Sequence, residues 1–182
     1  MQRHELEHLI RAAGAITGAD EIVVIGSQAI LGARPDSPAQ LLCSIEADLF
    51  TFRDPRDADL IDGTIGERSP FHDTFGYYAQ GVWLDTAILP VGWRDRLVRI
   101  QNENTRQVAA LCLEPHDLAV SKLVAGREKD TGFVLQMVRH RMIDLPSIPA
   151  LIDTLPVTSE EVRQTHERWH RILKAAESPQ ET

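Results

Sequence analysis

Glu46 and Asp48 stand two residues apart in the run Cys43-Ser44-Ile45-Glu46-Ala47-Asp48-Leu49-Phe50, where apolar and polar residues alternate. An extended chain sends successive side chains to opposite faces, so both carboxylates share one face while Ile45, Ala47 and Leu49 take the other. Two like charges at that spacing repel, and either open water or a bound cation relieves them. Hard divalent cations such as Mg2+ prefer oxygen ligands of this kind. The spacing leaves both answers open. Two further features have the right chemistry to stand near such a pair. Gly26-Ser27 closes the β-branched run Glu21-Ile22-Val23-Val24-Ile25, and Asp85 is a third acid set in the apolar stretch Val82–Leu89.

These residues need a sheet to position them. The sequence predicts an amphipathic opening helix over residues 2–15, from the spacing of Leu6, Leu9, Ile10 and Ala13. It then predicts a strand at 21–25, a tight turn, and a helix entered at Gln28 with Ser27 as its cap. A link rich in Gly, Pro and Ser, residues 32–38, leads to the strand around Glu46, and residues 54–67 read as a helix. Gln80-Gly81 reads as the turn of a hairpin between 76–79 and 82–89, and residues 97–101 and 107–113 form a second strand pair around Asn102-Glu103-Asn104. From Pro115 the periodicity is helical, over 116–142, 147–154 and 158–176, followed by a Ser/Pro/Gln-rich tail. The expected fold class is α+β, a mixed sheet flanked by helices over residues 1–114 and a helical part over 115–182.

A length of 182 residues with 43% hydrophobic content supports a core of ordinary size. The opening residues are too charged for a secretory signal, and no apolar run is long enough for a membrane span, so the expected location is the cytoplasm without membrane attachment. Cys43 and Cys112 both fall in apolar segments and are expected to be reduced core thiols. The net charge of −8 is uneven: residues 1–118 hold 18 acids against 10 Lys and Arg, whereas the remainder holds nine of each. That excess disfavours a broad nucleic-acid surface in the first part and suits a cation site.

The ordered set of Gly26-Ser27, Glu46-x-Asp48 and Asp85 resembles the nucleotidyltransferase superfamily. The stretches SIEADLF, SPFHDTFGYYAQGV, LDTAILPVGW and LEPHDLAVSKLVAGREKD are similar to small bacterial nucleotidyltransferase-like proteins related to abortive-infection toxin nucleotidyltransferases. The likeness spans residues 20–135. It implies a mixed sheet and a metal-dependent transfer of NMP from an NTP to a hydroxyl on RNA, protein or a small molecule. It also implies two Mg2+ ions roughly 3.5–4 Å apart, held by Glu46, Asp48 and Asp85. Asp85 would hold the ion on the nucleophile side or accept the attacking hydroxyl's proton. Gly26 and Ser27 would face the NTP phosphates, and Lys122, Arg127 and Lys129 would lie beside the nucleotide, with Lys122 and Lys129 on one helix face and Arg127 off it.

The sequence departs from that pattern in three places. The first acid is Glu rather than Asp, the interval from Ser27 to Glu46 is long, and Thr131-Gly132-Phe133 lacks the acid that often follows Lys-Asp in the toxin relatives. The alternative function is a nucleotide- or protein-binding module of the same fold without turnover, in a toxin–antitoxin or defence pair. A third is a dimerising protein that uses Tyr77, Trp83 and Trp93. Lys122, Arg127 and Lys129 also read as a solvated helix face with Glu128 and Asp130 as partners, and His72 reads either as a substrate contact or, with more weight, as a loop histidine with a local hydrogen bond. His4-Glu5-Leu6-Glu7-His8 satisfies HExxH, but a helix end prone to fraying and the lack of a third ligand make it an ordinary helix face; His166 and His170 receive the same reading.

Overall fold

The computed structural model describes residues 1–178; residues 179–182 of the Ser/Pro/Gln-rich tail lie outside the described residues. The chain divides into two compact units, residues 1–86 with 96–114 and residues 87–95 with 115–182.

The first unit is built on a five-stranded mixed sheet. Its strands are β1 (Glu21–Ile25), β2 (Glu46–Phe50), β3 (Tyr78–Gly81), β4 (Val98–Ile100) and β5 (Ala109–Cys112), in the order β3-β2-β1-β5-β4. β1 is central, and Ile22, Val23 and Val24 are sealed from solvent on both faces, which is why this strand reads as an unbroken β-branched run. It pairs antiparallel to β2, with Ile25 opposite Asp48, and parallel to β5. Helix α1 (Arg3–Thr17) buries Leu6, Leu9, Ile10 and Ala13. The Met1 amino group before it donates to the carbonyls of Leu42 (2.5 Å) and Ser44 (2.8 Å). Gly26 is followed by a 3-10 turn, Ser27–Ala29, and the short α2 (Ile30–Ala33).

The expected hairpin at Gln80-Gly81 does not form. β3 runs parallel to β2, in the register Glu46–Tyr78, Ala47–Ala79, Asp48–Gln80 and Leu49–Gly81. Parallel neighbours need a crossover, and α3 (Asp57–Ile65) and α4 (Pro70–Phe75) supply it. Gly81 has another task than turning the chain: a Cβ there would lie 1.8 Å from the carbonyl oxygen of Ala58, so the glycine admits the α3 backbone against β3. Residues 84–86 form a 3-10 turn rather than continuing a strand. The second expected pair does form, with β4 antiparallel to β5. Cys112 is buried as expected, but Cys43 is exposed, because the strand begins only at Glu46.

The second unit consists of α5 (Pro115–Ala125), α6 (Glu128–Arg139), α7 (Ser147–Ile152) and α8 (Ser159–Glu177) around Leu118, Leu123, Val134, Met137, Ile148, Ile152 and Trp169. The single helix expected over 116–142 is interrupted at Gly126, where Arg168 donates to the last carbonyls of α5, Leu123 and Val124. α8 opens with a capping box in which Thr158 and Glu161 satisfy each other's backbone N–H groups.

Candidate functional site

The turn after β1 and the first half of β2 come together closely. Gly26 has φ +68° and ψ −169°, a conformation open essentially to glycine alone. A Cβ on it would sit 1.9 Å from Oδ2 of Asp48, so the bare α-carbon rests against that carboxylate. Ser27 follows, half-buried, at the start of the 3-10 turn. The expected helix capped by Ser27 is absent: Gly26 occupies the cap position, and the four residues of α2 are too few to develop a sizeable dipole. Gln28, next in the turn, is 1% exposed with neither amide atom hydrogen-bonded to protein, a polar demand rare in a folded interior.

Glu46 and Asp48 are both half-buried and alternate with the buried Ala47 and Leu49, as period-two geometry requires. The phenol of Tyr78, the register partner of Glu46, donates to Glu46 Oε2 at 2.7 Å. Burial, then the Glu46 hydrogen bond and the charges of Glu46, Glu67 and Asp48, hold the Tyr78 phenol above its usual range, so it stays a donor. Its ring lies 4.7 Å from that of His72. His72 Nδ1 accepts from the Arg68 backbone N–H at 3.1 Å, which is a local hydrogen bond. Ser69 caps α4 by accepting from the His72 backbone N–H.

Asp85 does not join this group. Gly26-Ser27 lies at the Glu46 end of β2, because β1 runs antiparallel to it. β3 runs parallel to β2 and ends at Gly81, opposite Leu49, so the chain leaves the sheet at the other end before reaching Asp85, which is exposed in its 3-10 turn. Gln80, an exposed neutral amide, is the residue paired with Asp48 on β3. Among the described residues, no three His, Cys, Asp or Glu side chains gather as a metal site would require. On this face β2 itself carries two carboxylates, Glu46 and Asp48. Asp85→Asn is expected to leave any Mn2+ affinity of the Glu46–Asp48 face within about twofold of wild type, as sites without shared partners do; a tenfold loss in a Mn2+ titration would return Asp85 to the group.

Lys122, Arg127 and Lys129 belong to the second unit. Lys122 Nζ lies 3.0 Å from Oδ1 of the buried Asp130 and 4.6 Å from the Phe133 ring centre, and Arg127 Nε lies 2.5 Å from Asp130 Oδ2. Lys129 is exposed. Lys122 and Arg127 thus both pair with Asp130. In the HExxH stretch, His8 Nδ1 meets the Tyr77 hydroxyl at 2.8 Å within a cluster of Phe71, Phe75 and Tyr77, and His166 Nε2 meets Asp153 at 2.7 Å. Trp83 is exposed, Trp93 half-buried.

Tyr78 and Gln80 carry no signal of their own in the sequence as members of this face. Their signal is the strand register: once β3 pairs in parallel with β2, the residues opposite Glu46 and Asp48 are fixed.

A central β1 ending in Gly26-Ser27, an antiparallel β2 carrying Glu46-x-Asp48, and flanking helices define a nucleotidyltransferase-like α+β protein. Residues 4–176 match the family described as a nucleotidyltransferase of unknown function (DUF6036), and the chain belongs to that family. Comparison with curated proteins and with solved structures gave no match. No helix among the described residues is long and apolar enough to cross a membrane.

Proposed function

We propose that the first unit binds an NTP with a divalent ion on the Glu46–Asp48 face and transfers its NMP to a hydroxyl acceptor. The observation that carries this reading is the packing of the bare Gly26 α-carbon against the Asp48 carboxylate, with Glu46 on the same face two residues away. Glu46 and Asp48 would hold the ion, the fit being that of two hard oxygen donors. A bound Mg2+ supplies charge stabilisation to phosphate oxygens as the α-phosphorus is attacked. Gly26 lets the Asp48 carboxylate lie against the turn, and Ser27 offers its hydroxyl there. The Tyr78 phenol keeps Glu46 oriented.

One observation favours a second reading, nucleotide binding without transfer: the neutral Gln80, not an acid, stands beside Asp48. The two separate in one experiment. The chain is incubated with each α-labelled NTP, Mg2+, and total RNA or protein extract. Label in RNA or protein that vanishes in Asp48→Asn supports transfer; Asp48-dependent NTP binding without label supports the second reading. Asp48→Asn is expected to weaken Mn2+ binding about tenfold or more, since even partners one shell further out contribute that much. If Mn2+ affinity is unchanged in Asp48→Asn, both readings fail.

A further inference from the structure

Glu46 has two carboxylate oxygens, and the fold treats them differently. Oε2 accepts the Tyr78 hydroxyl at 2.7 Å. Tyr78 itself has little freedom to leave: it is held in register opposite Glu46 by β-pairing, and its ring lies against His72 with a tilt of 44°. His72 is fixed in turn by the Arg68 N–H on Nδ1 and by the Ser69 cap of α4. Arg68 adopts φ +62°, so a strained turn is retained to present that N–H. The chain of contacts runs from the turn to the imidazole, from the imidazole to the phenol, and from the phenol to one oxygen of one carboxylate.

Carboxylates bind Ca2+ with one oxygen or with both, and Ca2+ accepts six to eight ligands in loose geometry. Mg2+ demands a compact octahedron, in which a two-oxygen grip from one carboxylate fits poorly. We infer that Tyr78 is a cation-specificity residue: by occupying Oε2 it confines Glu46 to a single ligating oxygen and so favours Mg2+ over Ca2+. This rests on the reading of the Glu46–Asp48 face as an ion site. Tyr78 acts on the ion only through Glu46, as a positioning residue, and His72 acts through Tyr78.

The test is competition of Mg2+ and of Ca2+ against Mn2+, followed by the electron paramagnetic resonance of free Mn2+, in wild type, Tyr78→Phe and His72→Ala. In Tyr78→Phe, Mg2+ affinity is expected to fall about tenfold and Ca2+ affinity much less, so that the Ca2+/Mg2+ affinity ratio rises severalfold to about tenfold. The number of waters on bound Mn2+, read from proton relaxation, should drop by one as Glu46 closes with both oxygens. His72→Ala moves the ratio the same way by a smaller factor. A purely structural Tyr78 would weaken both ions equally, and that result, or an unchanged ratio, overturns the inference while leaving the ion site standing. If wild type binds no Mn2+, the ion-site reading fails and takes the inference with it. If Tyr78→Phe does not fold, His72→Ala decides: an unchanged ratio there overturns the inference.

Discussion

Replacing Gly26 with alanine is expected to lower stability by roughly 2–4 kcal/mol and to remove the divalent-ion binding proposed for the Glu46–Asp48 face, although the substitution adds one methyl group. Two effects combine. The backbone at φ +68° and ψ −169° is strained for any residue with a side chain, at about 1–3 kcal/mol. The new Cβ would also lie 1.9 Å from Oδ2 and 2.9 Å from Cγ of Asp48, so the carboxylate must rotate away from its place, at about 0.5–1.5 kcal/mol if it leaves a favoured rotamer. Urea denaturation measures the first consequence and a Mn2+ titration the second. The double variant Gly26→Ala, Asp48→Ala separates them. With the carboxylate gone, the clash disappears and only backbone strain remains, so the double variant should be more stable than the sum of the single effects predicts. Strict additivity would show that Gly26 and Asp48 do not meet.

That contact also shows which parts of the site were legible in the sequence. β1 announced itself because a central strand covered on both faces is a continuous β-branched run, and β2 because Glu46 and Asp48 alternate with the buried Ala47 and Leu49. Both signals are local. Gly81 misled because a glycine that permits close packing of α3 and a glycine that turns a hairpin look alike in sequence; only the Ala58 carbonyl, 23 positions earlier, distinguishes them. With a hairpin at Gln80-Gly81, Asp85 falls on a strand near the acids; with a parallel β3, it leaves at the opposite end and Gln80 takes the neighbouring position. The Tyr78–Glu46 bond spans 32 residues and depends on the same pairing. The break at Gly126 is hidden in the sequence, because the apolar periodicity continues on both sides of a glycine that ends α5.

The second large effect lies in the helical unit. Asp130→Asn is expected to lower stability by about 3 kcal/mol, the usual cost of breaking a buried ion pair by changing one of its members. Asp130 is 1% exposed and carries Lys122, itself buried, on one oxygen and Arg127 on the other. Arg127 is largely exposed and can return to water, so its share is small; the Lys122 ammonium sets the magnitude. The double variant Lys122→Met, Asp130→Leu should recover much of the loss, since an apolar pair leaves no charge behind. Acid provides an independent check. Burial alone would raise the Asp130 carboxyl, but the hydrogen bonds from Arg127 and Lys122 and their charges outweigh it and hold it below the ordinary value. A carboxyl lowered in the folded state contributes stability that is complete above its unfolded value, about 3.9, and is lost as pH falls through the folded one. Urea midpoints of wild type and Asp130→Asn should therefore differ most above pH 5 and converge on acidification below pH 4. A gap that persists at pH 2 would mean that Asp130 stabilises the unit through something other than its charge.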